Sequence, residues 1–254
     1  MDFARYPSLL DKNVFVTGGG SGIGADIVAA FARQGARVAF ADRDLSASAA
    51  LLASLDGAVA HPPLFLPCDL SDMDALRASV AAGAEHFGDF DILVNNTAND
   101  KRHDFLEVSP AYFDATVAIN LKVAFFAAQA VLKGMQRRGG GSIINLGSTG
   151  WKNKVAGYPI YATSKSAITG LTRSLAREYG KDNIRVNTLT PGWVMTARQL
   201  DTLVDQAGQR AMDENQCLPG RIMGADVASM ALFLGANDSR MTTAQEFIVD
   251  AGWT

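Results

Sequence analysis

Histidine and cysteine are both scarce, three and two in 254 residues. His61, His86 and His103 carry no metal-ligand spacing, so no metal site is expected. No G-x-S-x-G surrounds Ser148 and no histidine adjoins it, which argues against a Ser-His-Asp hydrolase. Cys68 and Cys217 lie far apart and read as reduced thiols; a disulfide is unneeded in a chain of this size. Excess charge of one sign is missing too: Lys plus Arg is 23, Asp plus Glu is 26, and no basic stripe marks a nucleic-acid footprint. No uninterrupted apolar run reaches about 18 residues, so no membrane span is expected. The start, MDFARYPSLLDKNVFVTGG, lacks a signal peptide's basic and apolar regions, which makes the cytoplasm the expected location.

What is present is an alternation of strand and helix patterns. Strands are predicted at 13–17, 37–41, 64–66, 92–95, 142–146, 184–189 and 246–249. Helical patterns fall between them, including Ile27, Val28 and Phe31 after the first strand and a long run from Pro110 to Arg137 broken near Asn120. Ser71 with Asp74 resembles a capped start for the helix that ends near Phe87. Residues 199–216 are polar and poorly periodic. Such alternation predicts an α/β fold of Rossmann type, a doubly wound, mostly parallel sheet with helices on both faces. No linker or repeat divides it, so residues 1–254 read as one domain.

The glycine run Gly18-Gly19-Gly20-Ser21-Gly22-Ile23-Gly24 sits between the first strand and its helix. Small residues there let backbone approach a pyrophosphate, and the helix N-terminus offers free amides to it. Asp42 closes the second strand, where a carboxylate can accept from an adenosine ribose and would repel a 2'-phosphate. That favours NAD, while Arg43 beside it leaves NADP open. Asp69 follows the third strand, within reach of an adenine amine. Asn120 interrupts an apolar pattern, and Ser148 ends the fifth strand at the sheet's carboxyl edge. Tyr161 and Lys165 stand one helical turn apart on one face. A lysine ammonium held there would lower the tyrosine pKa from about 10.

With these residues the chain resembles the short-chain dehydrogenase/reductase family from Asn13 to its C-terminus. TGGGSGIG matches that family's cofactor loop. The resemblance implies a catalytic tetrad of Asn120, Ser148, Tyr161 and Lys165. It further implies cofactor contacts from Gly18, Ser21, Gly22, Ile23, Gly24, Asp42, Arg43, Asp69, Leu70, Asn96, Tyr161, Lys165, Pro191, Gly192, Val194 and Thr196. Where the family has Asn-Asn-Ala-Gly after the fourth strand, this chain has Asn95-Asn96-Thr97-Ala98, which adds bulk beside the cofactor.

Within the family, 99–103, 216–221 and 250–253 resemble NAD-dependent aldose 1-dehydrogenases. The implied reaction is oxidation of an aldose of D-xylose, L-arabinose or D-galactose type at the anomeric carbon. Alternatives are a deoxy sugar acid, another secondary alcohol or a 3-oxoacyl group. Asn99, Ser148, Trp151, Asn153, Tyr161 and Trp193 are the expected substrate contacts, with a covering segment at about 193–217. Lys152, Lys154, Arg198 and Arg102 are available to anchor an acid. The expected assembly, by the same resemblance, is a homotetramer. Alanine- and leucine-rich helices at 110–137 and 161–179 fit packing across two-fold axes.

Overall fold

The computed structural model describes residues 4–202 and 204–254. Met1–Phe3, part of the stretch read for a leader, and Leu203, inside the 193–217 segment, lie outside the described residues. Seven strands form one sheet: β1 Asn13–Thr17, β2 Arg37–Asp42, β3 Leu64–Pro67, β4 Ile92–Asn95, β5 Gly141–Leu146, β6 Ile184–Pro191 and β7 Glu246–Val249. Their order is β3-β2-β1-β4-β5-β6-β7 and every pairing is parallel. The order reverses between β1 and β4, so the crevice of this doubly wound Rossmann-type sheet opens above their carboxyl ends.

Nine described helices accompany the strands: α1 Gly22–Arg33, α2 Leu45–Leu55, α3 Met73–Phe87, α4 Pro110–Val117, α5 Val123–Arg138, α6 Pro159–Tyr179, α7 Ala197–Thr202, α8 Gln206–Asn215 and α9 Gly224–Gly235. Both sheet faces are covered, and the side-chain period of two divides β1 between them. Val14 and Val16 pack with Ile27, Val28 and Phe31 of α1 and Val227 and Leu232 of α9. Phe15 turns the other way, to Leu76 and Val80 of α3 and Val131 and Met135 of α5. Burying those side chains stabilises the fold by roughly 1.5–3 kcal/mol each.

Local structure departs from sequence expectation at several points. Asp72, not Ser71, caps α3, accepting from the amides of Asp74 and Ala75 at 2.9 and 3.1 Å. Ser71 is drawn instead to Asp69. The break at Asn120 is a π turn, Ala118–Lys122, that joins α4 to α5 without ending the helix. Within the resulting Pro110–Arg138 run an 18-residue window has a mean hydropathy of 1.6, so that by length and composition alone the helix could cross a membrane. Counting uninterrupted apolar residues missed it because Asn120, Lys122 and Gln129 break the run from inside. Its Val123, Ala127, Val131 and Met135 are packed in the same buried cluster as Phe15, Leu93 and Ile143 of the sheet. The poorly periodic 199–216 stretch holds the end of α7 and all of α8.

Candidate active site

A cleft of about 1220 Å³ lies along the carboxyl edge of the sheet and receives residues from both of its halves. One end is the glycine turn after β1. Gly18 has φ +67, a left-handed conformation that disfavours any side chain. A Cβ on Gly24 would collide with the Gly18 carbonyl oxygen, so helix and turn touch backbone to backbone. Asn96 props this turn from β4: its amide donates to the carbonyls of Gly18 and Thr17 at 2.7 and 3.2 Å. Thr97 fills the space beside it, where a Cβ on Gly18 would stand 2.8 Å from the threonine Oγ1. That buried hydroxyl has no hydrogen-bond partner among the described residues.

Asp42 at the end of β2 accepts from the Gly20 amide at 2.8 Å and from the Asp44 amide at 3.0 Å. Its carboxylate is thereby held at the cleft's edge. Arg43, Leu70 and Asp69 line the same end. Hydrogen bonds from the Ser71 hydroxyl and amide hold the Asp69 carboxyl below the usual carboxylate range, with the Arg43 charge adding to the effect. The opposite wall is Pro191, Gly192, Val194 and Thr196, after β6. Thr196 reaches back over the glycine turn, its methyl 3.3 Å from where a Gly22 Cβ would stand. This cradle, with its carboxylate at the far end and its small-residue floor, fits an adenine dinucleotide.

The residues of the expected tetrad meet midway. Ser148 follows β5, and its hydroxyl is hydrogen-bonded to Tyr161 in the first turn of α6. Burial pushes the Tyr161 phenol well above its ordinary value; the Ser148 hydrogen bond pulls it down, and the Asp100 carboxylate adds to the rise. Lys165 is 3% exposed and donates to the Leu146 carbonyl at 2.7 Å. Burial lowers its pKa to about 8, against an upward pull from Asp100. The expectation that Lys165 drags the tyrosine down is therefore corrected for the protein alone: desolvation dominates both groups.

Asn120 comes to the site through its side chain in an unexpected way. Its Oδ1 accepts from the Asn99 amide at 2.8 Å, and its Nδ2 donates to the carbonyls of Asn99 and Thr116 at 3.0 and 2.9 Å. The π turn thus carries a residue that pins the loop after β4.

Of the expected substrate contacts, Asn99, Ser148, Asn153, Tyr161 and Trp193 line the cleft. Trp151 is not among its lining residues; it sits under the Lys152 ammonium, 4.4 Å from the ring centre, while Lys152 pairs with Glu246 at 2.7 Å. That ion pair holds this part of the chain to β7. Sequence reading did not single out Asp100, Tyr158 or Gln199, which also line it. Tyr158 packs edge-on to Tyr161, 5.1 Å between ring centres, beneath the Arg102 guanidinium at 3.7 Å. Trp253 closes this chain's own cleft, 6.4 Å from Trp193. Nothing in their spacing marks these residues, because loops from different strands bring them together.

The likeness to known proteins runs the length of the chain. A family model described as enoyl-(acyl carrier protein) reductase matches residues 18–254. The chain is 45% identical to D-xylose 1-dehydrogenase of Caulobacter vibrioides over 253 residues, all of both chains. It is 41% identical to the probable galactose dehydrogenase GalD of Rhizobium meliloti, over 98% of this chain and 97% of the other. Among solved structures, L-sorbose reductase of Gluconobacter frateurii, complexed with NADPH and L-sorbose, has a TM-score of 0.90 at 27% identity, covering 98% of each chain. A 7α-hydroxysteroid dehydrogenase complexed with NADH has a TM-score of 0.92 at 28% identity, covering 99% of this chain and 98% of that one. Glycine cradle, strand-end serine, and tyrosine and lysine one turn apart accompany this similarity in sequence and fold: the chain belongs to the short-chain dehydrogenase/reductase family, oxidoreductases that exchange hydride with a pyridine nucleotide.

Proposed function

We propose that this protein oxidises the anomeric carbon of a neutral aldose, of D-xylose, L-arabinose or D-galactose type, to the aldonolactone with NAD. The observation that carries the reading is the make-up of the cleft beyond Tyr161. Two indoles, Trp193 and Trp253, stand there with the hydrogen-bonding side chains of Asn153, Asp100 and Gln199. A sugar ring presents a flat apolar face and a rim of hydroxyls, which suits that mixture. An acyl chain calls for a more continuous apolar lining. A sugar acid calls for a cation, and three of the four candidates are engaged: Arg198 with Asp100 at 2.6 Å, Arg102 with Tyr158 and the Ala156 carbonyl, and Lys152 with Glu246; Lys154, the fourth, is exposed and does not line the cleft. The similarity to D-xylose 1-dehydrogenase and to the galactose dehydrogenase supports the same class.

Gly18, Ser21, Gly22, Ile23 and Gly24 would hold the pyrophosphate end of NAD. Asp42 and Asp69 would take the adenosine end, and Lys165 the nicotinamide ribose. When bound, the nicotinamide ring supplies the hydride acceptor. Tyr161, as phenolate, takes the proton of the anomeric hydroxyl as the anomeric C–H leaves as hydride and the C–O bond becomes the lactone carbonyl. Ser148 hydrogen-bonds the reacting oxygen. Asn120 contributes through the loop it pins, its side chain being engaged with Asn99 and Thr116.

Screening the purified protein against neutral aldoses, sugar acids and secondary alcohols with NAD tests the reading by the absorbance of the reduced cofactor. Turnover of sugar acids or acyl substrates without any aldose would overturn it.

A further inference from the structure

The loop after β4 and the segment after β6 meet across the cleft at one carboxylate. Asp100 follows the Asn99 pinned by Asn120, so its backbone is fixed from the π turn. Its Oδ1 is buried, 2.6 Å from Arg198 Nη2. Its Oδ2 accepts from Gln199 Nε2 at 3.2 Å, and Gln199 Oε1 in turn accepts from the Trp193 indole at 2.9 Å. The side chain is 21% exposed. Oδ1 is closed off beside Arg198, whereas Oδ2 bears a single long hydrogen bond and keeps lone-pair capacity. Arg198 and Gln199 thus orient the carboxylate from one side and leave an acceptor beside Tyr161, Trp193 and Trp253 in the same cleft. A neutral hydroxyl is a suitable donor to such a group, whereas an anionic substrate would meet its charge.

We propose that Asp100 is the specificity residue of this cleft, its carboxylate accepting a hydrogen bond from a sugar hydroxyl other than the one that reacts. The assignment rests on the aldose reading, deepens it, and separates Asp100 from the tetrad: it reads the sugar without entering proton or hydride transfer. The rival is a clasp, in which Asp100 only ties the two loops together.

The two differ in how the variant treats substrates lacking single hydroxyls. The test is kcat/KM for the best aldose and each of its mono-deoxy analogues, in the wild type and in Asp100→Asn. In the wild type, loss of the hydroxyl that Asp100 reads lowers kcat/KM about 100-fold or more, while another deoxy analogue is less affected. In Asp100→Asn the parent aldose falls by a similar factor, and the difference between it and that one analogue shrinks to within about threefold. A charged acceptor distinguishes present from absent donors on this scale because its unpaired state in the site is costly. Equal loss for parent and every analogue means a clasp and overturns the proposal, as does a wild type indifferent to all deoxygenations. Should Asp100→Asn fail to fold, Asp100→Ser is measured in the same way. A wild type that oxidises no aldose fails the aldose reading before any variant is made, and this assignment with it.

Discussion

Lys165 Nζ stands 5.9 Å from the centre of the Tyr161 ring while it donates to the Leu146 carbonyl at 2.7 Å. The ammonium is thus tied to the end of β5, at the strand edge that also leads to Ser148. A buried cation with a carbonyl partner is expensive to keep charged, since burial disfavours the charged form. Replacing it by an apolar side chain of similar length should remove that cost. Lys165→Met is expected to leave the thermal midpoint unchanged or raised and to lower turnover at least about 100-fold. Differential scanning calorimetry and steady-state rates on one preparation check both halves; a clear fall in the midpoint would show the ammonium to be structural.

The raised Tyr161 pKa sets the sign of the pH dependence. Oxidation needs the phenolate, and a raised pKa makes that form scarce near neutrality, so its population grows about tenfold per pH unit below the pKa. Aldose oxidation should therefore climb from pH 6 toward pH 9, and lactone reduction, which uses the phenol, should fall. The Ser148 hydrogen bond lowers the tyrosine pKa, so Ser148→Ala should shift the rise further to alkaline pH as well as slow the reaction. A profile flat between pH 6 and pH 9 would contradict the role of Tyr161.

Asn120→Ala removes an acceptor from the Asn99 amide and a donor from two carbonyls. Leaving such groups unpaired in a partly buried place costs up to about 1–3 kcal/mol. A lower thermal midpoint is expected together with a higher KM for the sugar, because the loop that carries Asp100 loosens. Unchanged KM alongside reduced stability would limit Asn120 to helix integrity.

Asp42 is expected to give preference for NAD over NADP, since a 2'-phosphate would confront its charge. Asp42→Ala should narrow the ratio of kcat/KM between the two cofactors, chiefly by improving NADP, with Arg43 left to meet the phosphate. The same change removes the acceptor for the Gly20 amide, so NAD binding should weaken as well. A wild type that prefers NADP would refute the assignment.

A homotetramer is the proposed assembly. Phe113 and Phe125, on α4 and α5, are 45% and 48% exposed, and Phe105 and Leu106 before them are 71% and 86% exposed. Apolar surface of this kind favours a partner. Light scattering at micromolar protein should give about four chain masses; a monomer mass would rule the assembly out.

The order of strands and helices was legible in the chain because both sheet faces are buried. The inner strands are therefore apolar runs, and the helices packed on them show a stripe at helical spacing. The glycine turn, Asp42, and the pairing of Tyr161 with Lys165 were legible for a related reason: backbone approach and one-turn spacing are local constraints, written over a few consecutive residues. Asp100, Gln199, Tyr158 and Trp253 were not, since they converge from separate loops and no periodicity links them. Nor was the state of the reacting pair. Spacing placed an ammonium beside a phenol, but desolvation, which depends on everything packed around them, moves both pKa values against the charged forms. Local chemistry comes from neighbours in sequence; the environment that tunes it exists only once distant segments have closed around it.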